Sequence, residues 1–235
     1  MAATEKPIVV MKRYELKYMM TEEQTAYFKE RIKGHMKEDK YGLCSIASLY
    51  YDTPSYRLIR ASIDSTGYKE KMRLRSYGIA TECSPVYLEL KRKAYGIVYK
   101  RRVQSTIPLV KKFFDRAGDI CAGGQINTEI TTFRDYYENL VPACLIIYDR
   151  IAYYQPDGDL RLTIDHNPRY RFEELNLTHS MEGISLLPEG STILEIKVQQ
   201  AIPLWLTDIL SEGKIYKTKF SKYGTAYKQT AVCRC

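Results

Sequence analysis

Three copies of a Glu-apolar-Lys triplet, Glu15-Leu16-Lys17, Glu89-Leu90-Lys91 and Glu195-Ile196-Lys197, stand far apart in a chain of 235 residues. Successive side chains of a β-strand point to opposite faces, so each triplet sets a carboxylate and an ammonium on one face, about 7 Å apart, with an aliphatic residue behind them. Lys71-Met72-Arg73-Leu74-Arg75 repeats the plan, with cations on one side and apolar residues on the other. Taken singly, each segment reads as a half-exposed antiparallel strand with its polar side in water. Recurrence in distant segments favours a shared, enclosed polar face. Like charges about 7 Å apart repel by roughly 0.6 kcal/mol in water and by about 2.4 kcal/mol at an effective dielectric near 20. Rows of cations turned toward one enclosed axis therefore need a polyanion among them.

The formal charge of +8 points the same way. Its cations are interspersed with carboxylates along several strands, with no basic block or single basic helix, so no nucleic-acid partner is expected. The 21 tyrosines suit β-strands as well as base stacking. No run of about 20 apolar residues marks a membrane span, and the N-terminal segment lacks an apolar signal core, so a cytoplasmic location without direct membrane insertion is expected. The six cysteines contain no Cys-x-x-Cys and read as reduced, mostly buried thiols; Cys233 and Cys235 form only a terminal Cys-x-Cys. No Gly-x4-Gly-Lys-Ser/Thr loop is present, and His35, His166 and His179 lack zinc spacing.

Along the chain, residues 8–20 read as a strand, and Thr21-Glu22-Glu23-Gln24 as a capping box opening a helix to about Lys33. A short strand ending at Asp52-Thr53-Pro54 precedes a short helix, with Asp52 read as a turn or helix cap. Strands follow at 68–77, 86–93 and 97–107, helices at 109–117 and 128–140, and strands at 143–154, 160–165, 169–172 and 192–199. Helices at about 203–210 and after Ser221 close the chain. The expected fold is α+β, an eight-stranded antiparallel β-barrel with helices packed outside, spanning residues 1–235 as one domain.

In this register one inward set emerges: Glu15, Lys17, Lys71, Arg73, Arg75, Glu89, Lys91, Lys93, Lys100, Arg102, Arg150, Arg161, Thr163, Asp165, Glu195 and Lys197. Arginine offers phosphate a planar fork and lysine a mobile point charge, so the mixture suits a chain of phosphates. Carboxylates among them are hard oxygen donors for Mg²⁺ or Mn²⁺. Glu195, Glu15 and Glu89 are the candidate metal ligands; for Glu15 and Glu89, metal binding and a cross-strand salt bridge stand as equal alternatives.

Six blocks, Arg13-Tyr14-Glu15-Leu16-Lys17-Tyr18, Ser48-Leu49-Tyr50-Tyr51-Asp52-Thr53, Lys71-Met72-Arg73-Leu74-Arg75-Ser76-Tyr77, Leu88-Glu89-Leu90-Lys91-Arg92-Lys93, Leu194-Glu195-Ile196-Lys197 and Lys219-Phe220-Ser221-Lys222-Tyr223, together resemble the vacuolar transporter chaperone (VTC) domain. This is the polyphosphate polymerase branch of the triphosphate tunnel metalloenzymes. The resemblance implies transfer of the ATP γ-phosphate to orthophosphate or a growing polyphosphate chain, with Mn²⁺ or Mg²⁺ as cofactor. By motif position it implies that Lys17, Arg73, Arg75, Lys91, Arg150 and Lys222 grip the triphosphate and that Glu195 holds the metal. Lys197, Lys219 and Ser221 would line the same tunnel, joined through strand alternation by Lys71, Lys93, Lys100, Arg102 and Arg161. Many tunnel triphosphatases open with Glu-x-Glu-x-Lys; here Arg13 takes the first acidic position, which favours the polymerase over a two-metal hydrolase. An inorganic or nucleoside triphosphatase, or a non-catalytic polyphosphate- or nucleotide-binding module, stands as the alternative. Unlike the eukaryotic assemblies, the chain is read without an inositol-phosphate-sensing domain or a membrane anchor, so any membrane coupling is expected to need a partner protein.

Overall fold

Alternation of charged and aliphatic residues in the Glu-apolar-Lys and Lys71–Arg75 segments dictates strands with one polar and one apolar side, and these assemble with the remaining strands into a single antiparallel sheet. A computed structural model describes residues 14–64, 67–95 and 97–232. The order is β1 (Tyr14–Met20), α1 (Glu22–Arg31), β2 (Lys37–Glu38), β3 (Cys44–Asp52), α2 (Arg57–Asp64), β4 (Tyr68–Tyr77), β5 (Val86–Ala94), β6 (Ile97–Ser105), α3 (Ile107–Phe114) and α4 (Gly124–Tyr137). There follow β7 (Val141–Tyr154), β8 (Arg161–Arg171), β9 (Ile184–Ser185), β10 (Thr192–Val198), α5 (Leu204–Glu212) and α6 (Lys222–Val232). The eight long strands run β1-β10-β8-β7-β3-β4-β5-β6, with β2 and β9 as two-residue additions to β7 and β8. The expected α+β, eight-stranded antiparallel architecture is therefore present.

Its closure differs from the expected barrel. β1 and β6 end the path and do not pair with each other among the described residues. Side chains reach across in their place: Lys91 on β5 meets Glu15 on β1 at 2.6 Å. The free edge of β1 is covered by the segment leading into α6, through the Tyr18–Lys217 bridge and the Thr218 amide donating to the Lys17 carbonyl at 2.8 Å.

The outward faces bury two apolar layers. Phe28, Ile32, Leu206, Ile209 and Leu210 of the α1 and α5 region pack on Leu162, Ile164, Leu194 and Ile196. Val110, Phe113, Ile130 and Phe133 of α3 and α4 pack on Leu49, Met72, Leu74, Leu88 and Leu145. Each such side chain contributes about 1.5–3 kcal/mol of transfer free energy. Not every helix lies outside, however. Beyond Arg150 the inner face of β7 turns apolar at Tyr148, Ile146 and Cys144, and Tyr223 and Ala226 of α6, with Ile59 of α2, cover it there. The concave side is thus part tunnel and part core.

Smaller differences have local causes. The expected strands at 160–165 and 169–172 are one strand, β8, kept continuous by a register shift against β7 between Ile147 and Asp149. Pro108 sits in the first turn of α3, which moves that helix to Ile107–Phe114. The Thr21–Gln24 capping box forms with both reciprocal bonds. Of the described cysteines only Cys144 is buried; Cys44 and Cys121 are half-buried and Cys83 is exposed, so the thiols are not mostly buried as expected. Cys233, Cys235, Arg13 and the strand expected over 8–13 lie outside the described residues. Among the described residues no helix is long and apolar enough to cross a membrane.

Candidate functional site

Residues directly opposite each other in an antiparallel ladder share a face. Glu15 pairs with Lys197 and Lys17 with Glu195; Glu195 pairs with Thr163 and Lys197 with Arg161; Arg150 pairs with Asp165. Across the sheet, Tyr50 pairs with Arg73 and Ser48 with Arg75, Arg73 with Glu89 and Lys71 with Lys91, Glu89 with Arg102 and Lys91 with Lys100. One continuous concave face therefore carries the inward residues of all eight strands. Ten cations, Lys17, Lys71, Arg73, Arg75, Lys91, Lys100, Arg102, Arg150, Lys197 and, from α6, Lys222, stand around four carboxylates, Glu15, Glu89, Asp165 and Glu195.

The carboxylates act as hubs. Glu89 is 1% exposed and meets Lys100 at 2.7 Å, Arg73 at 2.8 Å, Arg102 at 3.6 Å and Arg75 at 3.8 Å. Burial works to raise its pKa, but Arg73, Arg75 and Lys100 outweigh burial and hold it well below the carboxylate range. Asp165 is fully buried, takes both prongs of Arg150 at 2.6 and 2.9 Å, and also binds Lys222. Burial again opposes its charge, and Lys222 and Arg150 prevail, bringing its pKa down to about 2. Glu195 meets Arg150 at 3.5 Å and Lys197 at 3.7 Å. Against burial, Lys197, a hydrogen bond with the Glu15 carboxyl, Arg150 and Lys17 hold Glu195 well below the usual range.

Several cations are buried more deeply than their counter-charges offset. Lys71 Nζ donates to Ser221 Oγ at 3.0 Å. Desolvation first, then Lys17, Lys91 and Arg73, lowers its pKa to about 7. Burial likewise lowers Lys100, with Glu89 resisting, to about 8. Lys17 is lowered by burial too, and its Nζ donates to the Phe220 carbonyl at 3.0 Å. A buried ammonium with a depressed pKa costs stability in full below about pH 7, and that cost fades as pH rises from 7 toward the unfolded value of about 10.4. A bound polyanion removes the same cost. Tripolyphosphate is therefore expected to raise the melting temperature more at pH 6.5 than at pH 9, with Lys71→Met flattening the difference; equal shifts at both pH values would count against this.

Not every expected residue joins the cluster. Lys93 is exposed. Arg161 is exposed and spends its guanidinium on the carbonyls of Gln155 and Leu160 at 3.4 and 3.3 Å. Lys219 is exposed as well; from its segment, Ser221 and Lys222 reach the inner face. No sequence signal marks Tyr50 and Tyr148, whose hydroxyls accept from Arg73 at 3.0 Å and Arg75 at 3.1 Å. Both lie on inward positions of their strands, but tyrosine suits either face of a sheet, which hid them. Burial would raise the Tyr148 pKa; Arg75 and Arg150 overcome that and bring it to about 8. Thr163 Oγ1, buried beside Glu195 in the ladder, has no protein partner.

Among the described residues no group of three or more His, Cys, Asp or Glu side chains gathers as a self-sufficient metal cage. Glu15 and Glu195, diagonal neighbours across the β1–β10 ladder, could together hold a hard divalent ion that takes its remaining oxygens from phosphate, the usual arrangement for Mg²⁺. Glu89 does not fit that role, since four cations already surround it.

The family model of the VTC domain matches residues 12–231. The chain belongs to the VTC domain family. No curated protein matches it. Among solved structures, this VTC domain is similar to a proposed adenylate cyclase from Vibrio parahaemolyticus, at 9% identity and TM-score 0.51, covering 92% of this chain and 98% of that one. A second proposed adenylate cyclase, from Bacillus halodurans, gives 14% and 0.52, covering 90% and 96%. A third, from Hippeastrum, described as having a dominant triphosphatase activity, gives 15% and 0.53, covering 92% and 95%. At these identities the likeness is one of fold.

Proposed function

We propose that this VTC domain is a metal-dependent phosphotransferase that moves the γ-phosphate of ATP onto orthophosphate or the end of a polyphosphate chain and releases ADP. The observation that supports this most is the excess of ten cations over four carboxylates on one concave face. Lys71 and Lys100 there are poised to gain stabilisation from a bound string of phosphates.

Arg73 and Arg75 would bind phosphate oxygens with the guanidinium edges that Glu89, Tyr50 and Tyr148 hold in place. Lys17, Lys71, Lys91 and Lys100 would follow the chain of phosphates as point charges, and Arg150 and Lys222, fixed by Asp165, would face it from β7 and α6. An acceptor phosphate oxygen then forms a bond to Pγ while the bond from Pγ to the β-bridging oxygen breaks, its electron pair leaving with ADP. Arginines on the equatorial oxygens offset the charge that builds up there. A terminal phosphate is already an anionic nucleophile, so no side chain is needed to take a proton from it. Mn²⁺ or Mg²⁺ on Glu195 and Glu15 would supply further charge neutralisation and alignment of the phosphates.

Purified protein incubated with ATP and Mn²⁺, with ADP and acid-stable polymer followed separately, tests this. ADP together with polymer is the expected result. ADP with free phosphate alone would assign a triphosphatase, and tight tripolyphosphate binding without ADP would assign a binding module.

A further inference from the structure

Asp52 ends β3 and is fully buried, and each of its oxygens is bonded twice. Oδ1 accepts from the amides of Thr53 and Leu58, both at 2.8 Å. Oδ2 accepts from the Ile59 amide at 2.9 Å and the Tyr223 hydroxyl at 3.0 Å. One carboxylate therefore satisfies the open amides at the start of α2 and also ties down the start of α6, two elements far apart in sequence.

What Tyr223 carries with it matters for the site. Its ring, 2% exposed, stacks on Tyr50 at 4.8 Å, and the Tyr50 hydroxyl holds Arg73. The two residues before it face the tunnel: Lys222 binds Asp165 and lies 4.4 Å from the Tyr148 ring, and Ser221 Oγ takes bonds from Lys71 and from the Gly224 amide. A helix start free to rotate or slide would carry Lys222 and Ser221 off these partners together.

We propose that Asp52 is a positioning residue: through the Tyr223 hydroxyl it locks the first turn of α6 against β3, and so sets where Lys222 and Ser221 meet a bound phosphate chain. It touches no ligand itself. Its effect on binding must therefore pass through Lys222 and Ser221, and coupling to Lys222 separates it from a residue that merely adds stability.

The ligand arm of the test rests on the triphosphate reading above. Tyr223→Phe keeps the buried ring and removes the one hydroxyl, so it is the primary variant; Asp52→Asn, which reverses a donor and an acceptor at the α2 start, is the secondary one. Calorimetric titration with tripolyphosphate is expected to show Tyr223→Phe binding about 5- to 10-fold more weakly. Lys222→Ala should cost a large factor in the unmodified chain and a distinctly smaller one in the Tyr223→Phe background. Equal factors in both backgrounds overturn the proposal. Amide hydrogen exchange without ligand gives an independent reading: the Gly224 and Thr225 amides, both bonded to Ser221, should exchange faster in both variants while the sheet stays protected. Unchanged exchange there overturns the proposal as well. If the unmodified chain binds no tripolyphosphate, the functional reading fails and the exchange measurement alone decides the role of Asp52.

Discussion

Replacing Glu195 with alanine is expected to slow ADP formation from ATP by about three orders of magnitude, on the scale of removing one strong transition-state contact, while leaving metal-free tripolyphosphate binding unchanged or tighter. The two effects part because Glu195 has two relations to its surroundings. Under the proposed function it would hold a divalent ion together with Glu15, its diagonal neighbour on the inner face. Toward a phosphate chain, it is a negative charge among Lys197, Arg150 and Lys17, and removing it raises the positive potential there. Glu195→Gln keeps the shape and should behave like alanine for turnover. Steady-state ADP release read beside calorimetry without metal checks both arms. A parallel loss of binding and turnover would show Glu195 to be only part of the wall.

The second large effect concerns stability. Arg150→Ala is expected to cost about 3–5 kcal/mol, because it strips the bidentate partner from a fully buried carboxylate. For a chain of this size that is roughly a 10 °C fall in melting temperature. Lys222 alone would then face Asp165. The acid limb should move too. With its folded pKa lowered to about 2 by Lys222 and Arg150 acting against burial, Asp165 contributes stability above its unfolded value of about 3.9 and loses it as pH falls from there toward 2. Without Arg150 the folded pKa moves up toward the unfolded value, so the loss still begins near pH 3.9 but should be smaller and complete at higher pH. Arg150→Lys restores the charge without the fork and should fall between. Melts from pH 3 to 7 decide it, and an unchanged acid limb would mean that Lys222 carries Asp165 by itself.

Which face Arg73, Arg75, Lys91 and Glu195 share followed from alternation alone, since the two-residue period of a strand is enforced by backbone geometry. The Thr21–Gln24 box and the capping of α2 by Asp52 were equally legible, being contacts within a few residues. By contrast, the Tyr223 hydroxyl on Asp52 spans 171 residues and the Lys222 bond to Asp165 spans 57. No local period marks such partners. The open path between β1 and β6 was illegible for a related reason: a strand's sequence records which side it buries, but not which edge finds a neighbour. The VTC blocks told where Ser221 and Lys222 belong, but not that the helix they open lies inside the sheet as an apolar plug.

By itself, then, the sequence determined the strand faces, the excess of positive charge on one of them, and the local caps, because these depend on side-chain alternation and on hydrogen bonds between near neighbours. Only the tertiary structure decided which cation each carboxylate holds, how far the sheet rolls, and that α6 enters its concave side. Those outcomes are settled by competition among distant groups for a few buried partners, and the winner depends on how every strand packs at once.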